Sequence, residues 1–286
     1  MYPYELFLGM DLYSLLMVAG VVLCMMFIRL QGDWRGFSAK FQNLILLNVI
    51  PAVVLGYGSA VLFQAFYNYM ASGTFEIVES TGATFYGGLI GGTAIFIIVY
   101  FVAGHFLFPD GYHKSRFRAV SDMAASCITV AHGFGRLGCL MAGCCYGRPT
   151  DAWYGIKMVN LGYKVIPVQL FEAVYLLILS AVFLWLFKRG KRYLLPAYMI
   201  AYSIWRFPAE LMRADYRGAT LVDFFTPSQL ISIILLSGGL LLLGIELYVD
   251  DRSGRAKSKA RMASEEAPGE ELPAEGSSSD GKGADA

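Results

Sequence analysis

Three short stretches hold residue types that could do chemistry together. HGFGRLGCLMAGCCYG, 132–147, carries His132, Arg136, five glycines and Cys139, Cys144 and Cys145. RFPAELMR, 206–213, carries Arg206, Glu210 and Arg213, and TFYGGLIGG, 84–92, is a glycine-rich run with Tyr86. A guanidinium presents a planar fork of N–H donors that matches phosphate oxygens two at a time. Arg136 and Arg206 are therefore the candidate phosphate-binding pair, and the glycines permit either close helix packing or backbone exposed to a headgroup. Arg206 and Glu210 are four residues apart on one helix face and could also neutralise each other. Arg136 has no acid three or four residues away, so it needs a counter-ion from another helix or from a ligand. We expect a lipid phosphate in that role. Arg213 suits either the anion site or a helix end from which it snorkels to headgroups. His132, one turn before Arg136, has an unperturbed pKa of about 6.5, suited to proton abstraction; a packed interfacial imidazole is the alternative.

The three cysteines raise the question of a metal. A closed zinc site takes four ligands in spaced pairs, and Cys-x4-Cys-Cys with His132 upstream falls short of that. Adjacent cysteines bond each other only with strain. Small-residue packing is expected for Cys139, Cys144 and Cys145, with no metal and no cofactor.

These residues must be positioned by membrane helices. The chain has 286 residues, 56% hydrophobic and 16% charged, against about a quarter charged in soluble domains. Seven apolar segments reach the roughly 20 residues that a bilayer requires: about 8–28, 43–66, 85–108, 119–141, 167–187, 193–212 and 227–248. The first lacks the basic start and cleavage site of a signal peptide and is expected to be retained. The expected fold is an all-α integral membrane protein, 1–249, followed by a polar, disordered cytoplasmic tail, 250–286. Lys and Arg favour the cytoplasmic side. Arg29, Arg35 and Lys40, then Lys114, Arg116 and Arg118, then the KRGKR run 188–192 mark alternate connections, whereas 67–84 has Glu76 and Glu79 and no basic residue. The N-terminus is thus expected outside and the C-terminus inside. The 142–166 loop, with Arg148, Lys157 and Lys164, is an exception. On this topology Tyr13, the 84–92 run, Arg136 and the 206–213 run converge on one side of the membrane. A retinal protein is excluded by the absence of lysine from the seventh segment, and a transporter would place charges near the midplane.

These residues, as a set and in order, resemble the prolipoprotein diacylglyceryl transferase family. Gly135, Arg136, Gly138, Gly143 and Gly147 match its signature region. YGGLIG, 86–91, is similar to the run before its third helix, and RFPAELMR to its late Arg-Phe-x-x-Glu-x-x-Arg. PSQLIS, 227–232, VQLFEAVY, 168–175, Asp122 and Tyr13 also find counterparts. Three positions depart from the family: Tyr86 stands for its histidine, Cys139 for its signature asparagine and Cys144 for its signature acid.

The resemblance implies a bacterial plasma-membrane enzyme with an extracytoplasmic active site. It would move a diacylglyceryl group from phosphatidylglycerol to the cysteine thiol of a lipoprotein precursor bearing a lipobox, with no nucleic-acid partner. A relative that binds phosphatidylglycerol but modifies another acceptor, or a lipid or small-solute transporter, is the competing reading. Tyr86, His132, Arg136, Arg206 and Glu210 are the expected catalytic set, with Tyr86 or His132 taking the thiol proton. Arg136, Arg206, Arg213, Tyr13, Gly138 and Gly147 are the expected phosphatidylglycerol contacts.

Overall fold

The computed structural model describes residues 5–7, 9–78, 81–82, 84–158, 161–213 and 225–266. Among them are seven α-helices: α1 Leu12–Trp34, α2 Ala39–Ser72, α3 Phe85–Leu107, α4 Tyr112–Ala142, α5 Val168–Lys188, α6 Leu194–Ala209 and α7 Pro227–Glu266. Two small antiparallel hairpins accompany them, β1 Glu5–Phe7 with β2 Met10–Asp11, and β3 Ile156–Lys157 with β4 Lys164–Val165. Five helices, α1, α2, α3, α5 and α7, are long and apolar enough to cross a membrane. The chain is an all-helical integral membrane protein. α4 is 31 residues long but turns a polar set inward, including Asp122, Ser126, Thr129, His132 and Arg136. α6 spans only 16 residues before a 3₁₀ turn, Glu210–Met212, continues it.

Helix ends follow local chemistry more closely than hydropathy. α1 begins at Leu12 because the Asp11 carboxylate accepts the Ser14 N–H at 2.9 Å, capping the helix. α2 is 34 residues, longer at both ends than its apolar segment. Ser38 caps its start by accepting from the Phe41 N–H, and Gly73, at φ 76°, closes it in the left-handed conformation. α7 runs on to Glu266, so the part of the expected disordered tail from 250 to 266 is helical. There Arg255 and Asp251 form an i,i+4 ion pair. Residues 267–286 of that tail lie outside the described residues. By compactness the chain divides into two units, residues 1–243 and 244–286.

Within the first unit, α4 packs against α1, α5 and α6, while α2 packs against α3. Small residues set the α2–α3 approach. A Cβ on Gly87 would lie 2.6 Å from Phe63 Cβ, and one on Gly92 would lie 3.0 Å from the Ala52 carbonyl oxygen. Of the two roles open to the GGLIGG run, these contacts serve close helix packing. The apolar core concentrates where α2 starts, α3 ends and α4 starts. Phe41 sits edge-on to Phe37, Tyr100, Phe108 and Tyr112 there, with ring centroids 5.0–6.3 Å apart. Residues such as Leu47, Val54, Ile98 and Leu241 remain exposed around the helices, as a hydrocarbon solvent permits.

The start of α6 is fixed from α4. The buried Asp122 carboxylate accepts the Leu194 N–H at 2.7 Å, one of the four donors that a helix start leaves without an internal partner. Asp122→Ala removes that acceptor, and a buried unsatisfied donor costs about 1–3 kcal/mol. Thermal unfolding in detergent is expected to show a loss of that order, and a smaller one for Asp122→Asn, which keeps an acceptor oxygen.

Candidate functional site

The polar side chains gather at the other end of the bundle, where α1, α3, α5 and α7 begin and α4 and α6 end. Their centre is Glu172, in the second turn of α5 and completely buried. Its Oε2 lies 3.0 Å from Arg136 Nε on α4. Its Oε1 accepts the Tyr202 hydroxyl on α6 at 2.8 Å and lies 3.8 Å from His132 Nε2. His132 is packed edge-on to the Tyr202 ring, 5.3 Å between centroids. Arg136 is thus neutralised by another helix, which corrects the expectation that a lipid phosphate is its counter-ion. The contact is an ion pair without hydrogen-bond geometry, and Glu172 is the one described acid that pairs with Arg136.

Arg206 is 1% exposed. Its Nη2 donates to Glu210 Oε2 at 2.6 Å and to Ser228 Oγ, in the first turn of α7, at 2.8 Å. Its Nη1 is equally buried and has no acceptor among the described residues. Buried N–H groups are nearly always satisfied, and this one belongs to a residue that faces a small cavity of about 50 Å³ lined by Tyr86, Leu89, Tyr198, Tyr202, Ser232 and Arg206 among others. Tyr202, which lines the same cavity as Arg206, donates its hydroxyl to Glu172. The two arginines therefore belong to one cluster, joined through Glu172 and Tyr202.

The remaining expected residues fall around this centre in two ways. Tyr86, in the first turn of α3, lines the cavity beside Arg206, whereas His132 sits behind Glu172 and Tyr202. Tyr13, 36% exposed, lies across Gly138, where an added Cβ would stand 2.9 Å from its ring. Gly147 pairs with Arg213 through an isolated antiparallel bridge. A Cβ there would come within 2.5 Å of the Met212 carbonyl oxygen, so the glycine holds the backbone that presents Arg213. Arg148 continues the contact: its backbone N–H donates to the Met212 carbonyl at 2.9 Å and its Nε to the Arg213 carbonyl at 3.3 Å. Arg213 is buried, 5% exposed, and not snorkelling at the surface.

Past the end of α4 the chain turns back on itself. Gly143 caps the helix at φ 70°, and Cys145 takes φ 61°. The three sulfurs of Cys139, Cys144 and Cys145 lie within 4.8 Å of one another, and Cys144 is exposed. Hydrogen bonds with Cys139 and Cys144 hold the Cys145 thiol below its ordinary range, and the charges of Arg213 and Arg136 act in the same direction.

Glu172, Tyr202 and Ser228 are absent from the expected site. Glu172 could have been found: it is the sole acid in an apolar run of α5, and an ionisable residue there is by default a functional position with a partner to be named. Tyr202 and Ser228 carry no comparable signal, because tyrosine and serine are ordinary in such helices.

The chain matches the prolipoprotein diacylglyceryl transferase family over residues 4–245. It is 31% identical to phosphatidylglycerol–prolipoprotein diacylglyceryl transferase 2 of Clostridium perfringens over 83% of this chain and 92% of that protein. The phosphatidylglycerol–prolipoprotein diacylglyceryl transferase of Clostridium tetani is 25% identical, over 86% and 97%, and that of Dehalococcoides mccartyi 26% identical, over 79% and 85%.

Breaking a buried ion pair from one side leaves an uncompensated charge and costs about 3–5 kcal/mol. Glu172→Ala is expected to lose stability of that order by thermal unfolding in detergent. The Glu172→Ala/Arg136→Met double variant is expected to recover part of the loss, since it removes both charges.

Proposed function

The chain belongs to the prolipoprotein diacylglyceryl transferase family, and on that premise we propose how its residues divide the reaction. The enzyme moves a diacylglyceryl group from phosphatidylglycerol to the cysteine thiol of a lipoprotein precursor. A C–S thioether bond forms at the glycerol carbon, the C–O bond to phosphate breaks, and glycerol phosphate leaves with both electrons of that bond. Negative charge therefore grows on the departing phosphate, and the thiol must surrender its proton.

The observation that carries this reading is Arg206 Nη1, a buried guanidinium nitrogen beside a cavity with no acceptor among the described residues. A phosphate oxygen supplies the acceptor. Arg136 contributes the outer edge of its fork, and Glu172, Glu210, Tyr202 and Ser228 hold the two guanidinium planes in place before substrate arrives. Fixed donors of this kind need no reorganisation as charge develops. Arg213, Tyr13 and Gly138 flank the headgroup, and Gly147 acts through the backbone it holds. Tyr86, on the cavity wall beside Arg206, is the better placed of the two candidate proton acceptors. His132 acts from behind, through Glu172.

All seven helices cross the bilayer in this reading, α4 and α6 as polar-faced spans shielded by their neighbours. The N-terminus and the site face outward and the C-terminus inward, in a bacterial plasma membrane. The lysine- and arginine-rich connections support that orientation, and the acceptor peptide presents its lipobox cysteine from the outer leaflet.

Complementation of a bacterial strain lacking diacylglyceryl transferase tests the activity, with mass spectrometry of a lipoprotein N-terminus as the readout. The wild-type chain is expected to restore the diacylglyceryl mass, and an unmodified cysteine would refute the assignment. Arg136→Lys and Arg206→Lys are expected to lower transfer by about 10²–10³-fold, the usual cost of losing an aimed donor to a developing anion. A point charge at either position that sustains wild-type turnover would argue against the fork. Tyr86→Phe is expected to lose about 10² or more, and full activity in both Tyr86→Phe and His132→Phe would remove the proton-transfer role.

A further inference from the structure

We propose that Cys139, Cys144 and Cys145 form a three-thiolate binding site for a soft d¹⁰ cation, with Cu⁺ the ion that fits it. The three sulfurs already lie within 4.8 Å of one another. Metal–thiolate bonds of about 2.3 Å put the sulfurs of a trigonal complex about 4 Å apart. Closing the set around an ion thus needs movement of less than about 1 Å, within the reach of χ1 adjustments.

The backbone is arranged to hold the sulfurs there. Cys145 is one of two non-glycine residues with positive φ among the described residues. A residue held in that region costs about 1–3 kcal/mol and persists only where its surroundings enforce it. Here the enforcement is visible. Gln169 Nε2 donates to the Cys144 carbonyl at 3.1 Å, the Cys144 N–H donates to the Cys139 carbonyl at 3.1 Å, and the Gly147 N–H donates to the Ile166 carbonyl at 2.8 Å. The turn is pinned before and after Cys145, so that its sulfur meets those of Cys139 and Cys144.

Ligand number and charge select the ion. Structural zinc takes four ligands, and His132 cannot serve as the fourth because it is packed against Tyr202 and Glu172. Soft thiolate sets favour Cu⁺, which accepts three-coordination. Three thiolates around Cu⁺ carry a net charge of −2, and Arg136, three residues before Cys139 on α4, and Arg213, bridged to Gly147, bring positive charge to the same end of the bundle. The exposed Cys144 gives an ion a route in. Cys24 and Cys127 lie elsewhere, on α1 and in the middle of α4, and are internal controls. The site does not depend on the transferase reading, because its test reads metal and not lipid transfer.

The test uses the full-length protein, reduced and kept under anaerobic conditions in detergent, titrated with Cu⁺ against a competing Cu⁺ chelator. One equivalent of copper per chain is expected, with three sulfur neighbours by X-ray absorption. Cys144→Ser and Cys145→Ser are expected to lose it, while Cys24→Ser and Cys127→Ser retain it. Two-sulfur coordination, copper retained in the Cys144→Ser/Cys145→Ser variant, or loss of two hydrogens to a disulfide without copper uptake would each overturn the site. Differential alkylation of the wild-type chain covers the case of a misfolded variant. Copper is expected to protect Cys139, Cys144 and Cys145 alone, and equal labelling of these three with and without copper refutes the proposal.

Discussion

A guanidinium inside a helix bundle surrounded by hydrocarbon must find a counter-charge within the protein, and this fold is organised around how two of them do so. Arg136 takes the Glu172 carboxylate from α5, and the same carboxylate accepts the Tyr202 hydroxyl from α6. Arg206 takes Glu210 from its own helix and the Ser228 hydroxyl from α7. In a low-dielectric interior such pairs hold only while desolvation is offset by good geometry and satisfied lone pairs. α4, α5, α6 and the start of α7 are consequently tied together at one end by an ion pair and hydrogen bonds, whereas at the other end Phe41 and its aromatic neighbours supply apolar packing.

Neither arginine is saturated by its carboxylate, and that is where stability gives way to chemistry. An anion entering the cavity meets donors whose positions were fixed when the bundle folded, so little reorganisation accompanies its binding. The carboxylates also limit the cost of holding these charges when no lipid is present. The same groups that make the bundle stable leave one buried guanidinium nitrogen of Arg206 without an acceptor among the described residues, the basis of the phosphate contact proposed above.

The turn after α4 adds a second kind of polar centre. Gly143 and Cys145 reverse the chain, and Gly147 and Arg148 bring it against Met212 and Arg213. Both features depend on the same tight backbone approach, which excludes any Cβ at Gly147. Cys139 and Cys144 occupy positions where the family resemblance leads one to expect an asparagine and an acid, so oxygen-bearing side chains there are exchanged for sulfur.

The sequence by itself determined the all-helical membrane class, the approximate place of each helix and the side of the bundle to which the arginines belong. Those follow from apolar run lengths and from where charges are affordable, both local quantities. It also marked Arg136 as needing a partner from elsewhere. Only the tertiary structure decided that the partner is Glu172, that GGLIGG packs against α2, that Tyr86 and not His132 borders the cavity, and that three cysteine sulfurs face one another. Each of these is a contact between helices or across a turn, fixed by rotation about helix axes and by caps such as Asp11, Ser38 and Gly143. A hydropathy run does not encode the angle at which a helix presents its side chains, and a one-residue change in where it starts rotates each of them by about 100°.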